Sequence, residues 1–337
     1  MSSAIHKVFF LVSIVILTLY GCSSEDIEYS QENRVAVRIE LDGGQTNTRA
    51  LGDATLSVNR ILILPFKKIN ESATNDATNF IVDYSAAKQL DINSFPAIVT
   101  MLNLSSSSTY QLLILGYNRT DFDFTNQGIA SQKFSIGPSA SATLASFYLQ
   151  PTSVPDVTEF FSCSGYGYQG STLVGTTFKP GNINNIKGTL KRLVSGFSIE
   201  VSNVPAFVTS MTLVAEQLVT SIKGADGTPL TWQTPGSDVS RSFGAQPPLL
   251  GKVTYNKFML PTQDARKTLF YLDVLIYGVT QRYTVKVPDL GGASSGNRFI
   301  FTPNQWIKVT GDYSKLNLGF QITGVINLDD NNWDGLQ

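Results

Sequence analysis

Histidine is nearly absent from this chain: the only one in 337 residues is His6, close to the start. Beyond it nothing can serve as the base of a Ser-His-Asp arrangement, the partner of a nucleophilic cysteine or an HExxH zinc ligand, so the common hydrolase and metalloprotease chemistries are excluded. Cysteine is almost as scarce. Cys22 and Cys163 are the two present, and with the first acylated, as argued below, no internal disulfide can form. Neither sign of charge dominates, with 25 basic against 26 acidic residues, which leaves no field for gripping nucleic acid. Helical periodicity is also lacking beyond the N-terminal leader. Two-carboxylate glycoside hydrolysis needs none of the missing residues, but no Asp or Glu pair stands out to carry it. No catalytic residue, cofactor or metal is expected.

What is present begins with an address. Lys7 gives a short positive start, residues 8–20 form an almost unbroken apolar stretch, and Leu19-Tyr20-Gly21-Cys22 places a cysteine directly behind a small residue. The stretch suits a signal-peptide core but is short for a membrane span. Residues 1–21 therefore read as a signal peptide and Cys22 as a lipidation site, whose acyl chains would hold the protein to a membrane at about 0.8 kcal/mol per buried methylene.

The rest has an all-β rhythm. Runs rich in Val, Ile, Leu, Phe, Tyr and Thr recur between Gly, Pro, Asn, Asp and Ser clusters, at 34–41, 60–66, 97–102, 110–117, 144–149, 196–201, 210–219, 253–260, 268–279, 282–287, 298–301, 306–310 and 318–328. In the first, Val35, Val37, Ile39 and Leu41 share one face; in the last, Phe320, Ile322, Ile326 and Leu328 do. Each of these strands wants a groove. Residues 164–185 are rich in Gly, Ser, Thr and Asn and read as a loop, which puts a domain boundary near 184–187. The length suits two sandwich domains.

Three further features have a bland reading and a sharp one. Cys163 lies among aromatics with no basic neighbour close in sequence, so a buried, inert thiol is expected. Those aromatics, with Trp232 and Trp306, are candidate sugar platforms, although core packing is the commoner use. Asp330-Asn331-Asn332-Trp333-Asp334-Gly335 matches the opening of a calcium loop, but the sequence stops at Gln337, short of the closing bidentate Glu. A polar tail is expected there.

The order of these pieces resembles the fimbrillins of Bacteroidetes, the subunits of type V pili. Ser23-Ser24-Glu25-Asp26-Ile27-Glu28 is similar to the acidic signal that sends lipoproteins of that phylum to the outer surface. An alternating strand follows, then Thr48-Arg49-Ala50 ahead of Ile61-Leu62-Ile63-Leu64-Pro65-Phe66. Leu190-Lys191-Arg192-Leu193-Val194-Ser195, leading into Phe197-Ser198-Ile199-Glu200-Val201, is similar to the arginine-bearing strand that opens the family's C-terminal domain, and Asn304-Gln305-Trp306-Ile307-Lys308-Val309 resembles its late strand entry.

The resemblance implies two tandem transthyretin-like β-sandwich domains with Greek-key-type antiparallel sheets. It divides the chain into a signal peptide (1–21), a lipidated propeptide with a removable first strand (22–49), an N-terminal sandwich (50–186) and a C-terminal sandwich with a donor-like last strand (187–337). It further implies cleavage between Arg49 and Ala50 by an arginine-specific protease, for which Gly43-Gly44-Gln45-Thr46-Asn47-Thr48 supplies a flexible approach. Release of Val35, Val37, Ile39 and Leu41 would open a groove for a donor strand from an identical or related subunit, with Phe320, Ile322, Ile326 and Leu328 as the donor face. The outcome is a surface fimbria that supports adhesion to host or bacterial ligands. Two alternatives stand beside it: a surface glycan-binding lipoprotein of the starch-utilisation type, and a lipid-retaining anchor or tip subunit.

Overall fold

Alternating apolar residues here become strands whose two faces meet different surroundings. The computed structural model describes residues 34–41, 58–138, 141–154, 157–232, 241–262, 267–317 and 319–328. In the first half the strands are β1 (Arg34–Leu41), β2 (Arg60–Lys68), β3 (Phe80–Val82), β4 (Lys88–Asp91), β5 (Ala97–Asn103), β6 (Tyr110–Tyr117), β7 (Phe134–Gly137), β8 (Tyr148–Pro151), β9 (Phe160–Gln169), β10 (Thr172–Gly175) and β11 (Asn185–Arg192). Those that follow are β12 (Ser195–Ser202), β13 (Val208–Glu216), β14 (Val219–Lys223), β15 (Pro229–Trp232), β16 (Arg241–Gln246), β17 (Val253–Met259), β18 (Leu269–Ile276), β19 (Val279–Thr284), β20 (Ser294–Ser295), β21 (Arg298–Phe299), β22 (Gln305–Asp312) and β23 (Gln321–Asn327). The expected all-β class is what the chain adopts.

A nine-stranded sheet runs β3-β2-β6-β9-β11-β1-β5, with β4 also on β2 and β10 on β9. One face of β2 and β6, carrying Ile61, Ile63, Leu112 and Ile114, shares a core with Val35, Val37 and Ile39 of β1. The alternate residues Leu62, Leu64, Leu113 and Leu115 enter a second core with Phe147, Leu149, Val219 and Ile222. Burial on both sides explains why β2 and β6 read as continuous apolar runs rather than alternating ones. The layer beyond is the sheet β15-β14-β8-β7, which draws strands from both halves of the sequence.

The other sandwich faces β17-β12-β22-β23 against β16-β13-β18-β19 around Phe197, Ile199, Leu213, Phe270 and Ile307. Two parallel pairs interrupt the expected antiparallel arrangement: β1 lies parallel to β11, and β12 parallel to β22. The opening strand of each sandwich thus sits beside a late one.

Several sequence expectations shift. The strand expected at 268–279 ends at Ile276, because the chain turns at Tyr277 and Gly278, both at positive φ, and the strand expected at 282–287 begins earlier, as β19 from Val279. Residues 164–169 belong to β9 rather than to a loop, and β10 folds back on it. The 186/187 division falls inside β11, a member of the first sheet, and the chain enters the second sandwich only at Ser195. Lys187 to Arg192 therefore close the first sheet rather than open the second sandwich.

Candidate functional site

The first candidate is the seat of β1. Val35, Val37 and Ile39 are fully buried and Leu41 is 6% exposed, while on the opposite face Arg38 donates to Glu40 at 3.0 Å with both side chains about half exposed. The alternation in the sequence thus became a buried face and a wet one. On one side β1 pairs with β11, Val37 beside Ile186, Ile39 beside Gly188 and Leu41 beside Leu190. On the other it pairs antiparallel with β5, Val35 opposite Leu102 and Ile39 opposite Ala97. Among the described residues β5 has no other strand partner in the sheet order. Removing β1 would therefore bare an edge of β11 and strand β5 at the same time. Cys163 lies against this core, and burial pushes its thiol up to about 12, as an inert side chain requires.

The second candidate is the C-terminal edge. β23 pairs antiparallel with β22 and ends its sheet. Phe320 and Leu328 are 3% and 8% exposed, Ile322 and Ile326 are half-buried, and Val325 faces outward. The four residues do not share a face: a register shift between Lys308 and Val309 sets Ile322 opposite Val309 but Ile326 opposite Trp306, so Phe320 and Ile322 cover the chain's own core while Ile326 takes the other side of the sheet. The ring of Phe320 lies so close over Gly311 that a Cβ there would come within 2.3 Å of it.

Between the two lies a polar cross-link that sequence reading missed. Arg192, 4% exposed, donates from Nε to Glu159 Oε1 at 2.9 Å and from Nη1 to Asn304 Oδ1 at 2.8 Å, with its guanidinium 4.9 Å from the Phe161 ring centre. Asn304 Nδ2 donates to Asn327 Oδ1 at 2.6 Å, and the Leu328 amide donates to the Asn304 carbonyl at 2.9 Å. The first sheet is thereby tied to the end of the last strand. A signal existed: Arg192 is in phase with Ile186 and Leu190, the buried face of β11.

Trp306 is fully buried, so it is a core residue and not a sugar platform; Trp232 is half-buried. Cys22, Arg49, Ala50 and Asp330 to Gly335 lie outside the described residues. Among the described residues no group of three His, Cys, Asp or Glu could hold a metal ion, and no helix is long and apolar enough to cross a membrane.

No protein-family model matches the sequence, and no curated protein matches it. Solved structures do resemble it. A candidate polysaccharide-binding protein from Bacteroides thetaiotaomicron is similar at TM-score 0.50 and 11% identity, covering 87% of this chain and 97% of that one. A candidate adhesin from Bacteroides ovatus is similar at 0.48 and 12%, covering 79% and 86%. The fimbrial anchor protein Mfa2 from Porphyromonas gingivalis is similar at 0.45 and 10%, covering 87% and 96%. At these identities the likeness is one of fold alone, and the chain has the all-β sandwich fold expected of it.

Proposed function

We propose that this chain is a structural subunit of a cell-surface fimbria, exported as an outer-membrane lipoprotein through Cys22, cut between Arg49 and Ala50, and joined to identical or related subunits by donor-strand exchange. The observation that supports it is the place of β1: a strand N-terminal to Arg49 lies between β11 and β5 with four buried side chains and, among the described residues, is the sole strand partner of β5. A groove of that kind, once vacated, takes an incoming strand by main-chain hydrogen bonds and alternate-side-chain pockets. The donor-like β23 completes its own sandwich in this structure, so donating it requires Phe320 to leave the core, at about 1.5–3 kcal/mol. Treating purified precursor with an arginine-specific protease tests the reading. A denaturant-resistant ladder on electrophoresis is expected; persistent monomer after confirmed cutting at Arg49 sinks strand exchange.

A glycan-binding surface lipoprotein is the second reading. With Trp306 in the core, it rests on the tyrosines of β9, of which Tyr166 is 44% exposed.

A further inference from the structure

On the outer face of the first sheet, where β9 and β11 run beneath the second sandwich, lies a cleft of about 760 Å³, within the range of small-ligand sites. Its floor follows from a four-residue pattern. In Gly165-Tyr166-Gly167-Tyr168 the glycines take the core side, where a Cβ on Gly165 would stand 2.9 Å from Ile186, and both tyrosines are thrown to the outer side. Lys187 pairs opposite Tyr166 and Lys191 opposite Ser162, so β11 sets its lysines on the same face. Lys187 Nζ lies 4.7 Å from the Tyr168 ring centre, a cation–π contact that orders both.

The charge is one-sided. Among the described residues neither Lys187 nor Lys191 has a carboxylate within the 4.0 Å of an ion pair, whereas the neighbouring Arg192 and Arg38 are matched by Glu159 and Glu40. Among the described residues Asp226 is the one carboxylate lining the cleft. Hydroxyls and tyrosine rings together suit a sugar, whose ring faces stack on aromatics. Two ammonium groups four strand residues apart, roughly 13 Å along the strand, suit acid groups on separate, non-adjacent units of one extended chain.

We propose that this cleft binds an acidic oligosaccharide, with Tyr166 as the stacking platform, Lys187 and Lys191 meeting carboxylates, and Asp226 accepting from sugar hydroxyls. Acidic-glycan capture here deepens the second reading above and is argued apart from strand exchange, because no residue lining the cleft belongs to β1.

Calorimetric titration of the full precursor with trigalacturonic acid and with maltotriose decides it. Trigalacturonic acid is expected to bind, more weakly at high salt, and about tenfold more weakly in Tyr166→Ala and in the double variant Lys187→Ala, Lys191→Ala. Lys252→Ala, on the other sandwich, is expected to change nothing. No binding of trigalacturonic acid overturns the site, and so does binding that survives Tyr166→Ala unchanged. Equal binding of maltotriose overturns the acidic specificity and leaves glycan binding standing. The protease ladder reads out strand exchange separately, whatever these titrations give.

Discussion

Deleting the chain up to Arg49, so that the protein begins at Ala50, removes Val35, Val37, Ile39 and Leu41 from a core in which three of them are fully buried and the fourth nearly so. At about 1.5–3 kcal/mol per side chain the loss is roughly 6–12 kcal/mol. That is comparable with the whole stability of an ordinary domain, about 5–15 kcal/mol. The parallel ladder with β11 and the antiparallel ladder with β5 are lost as well. At a urea slope of about 2 kcal/mol/M, a 6 kcal/mol loss lowers the midpoint by about 3 M. The second sandwich has its own core around Phe197 and Phe270 and keeps its transition. Urea titration of both forms, followed by far-UV circular dichroism, is therefore expected to show one transition displaced and one retained in the truncated form. A synthetic peptide of residues 34–41 is expected to restore the displaced transition, and the same peptide carrying Ile39→Asp is not. A truncated protein whose midpoints all match the full chain's would refute the reasoning, since β1 would then contribute no burial that a donor strand could replace.

Three other outcomes follow from particular contacts. Arg192→Met removes the buried ion pair with Glu159 and is expected to cost about 3–5 kcal/mol, whereas adding Glu159→Met recovers most of it in a double-mutant cycle, because desolvation of the carboxylate disappears with the charge. Gly311→Ala drives a Cβ into the Phe320 ring and is expected to destabilise by about 1–3 kcal/mol, read as a lowered Tm; an unchanged Tm would mean that β23 is not held as described. Asp123 accepts hydrogen bonds from Thr125 and Gln89 and faces Arg60 at 3.1 Å, which hold its carboxyl well below the usual range. Its contribution is present above the unfolded value of about 3.9 and is lost as pH falls toward its folded value. In Asp123→Asn the acid limb of the urea-midpoint curve is expected to flatten, with little change in its steepness near neutrality.

How much of this was legible depends on range. Val35, Val37, Ile39 and Leu41 announced their buried face because a strand's side chains alternate with period 2, a property of the backbone alone. At the other end Phe320 and Ile322 did so too, but a bulge against β22 turned Ile326 to the opposite face, which alternation alone cannot foresee; the scarcity of histidine and cysteine excluded whole chemistries before any fold was drawn. Partners are another matter. That β1 lies between β11 and β5, that β14 and β15 join β7 and β8 across the sequence midpoint, and that Arg192 is buried beside Glu159 are pairings over tens of residues, which periodicity does not encode. The 164–185 stretch misled for a related reason: its glycines read as turn residues, yet two of them let β9 approach the core closely while tyrosines occupy the other face. Local pattern determined the all-β character and the alternation of side chains within each unbroken strand. Tertiary packing alone decided which strands meet, because two faces of the same pattern satisfy the hydrophobic effect against any complementary partner until the whole sheet selects one.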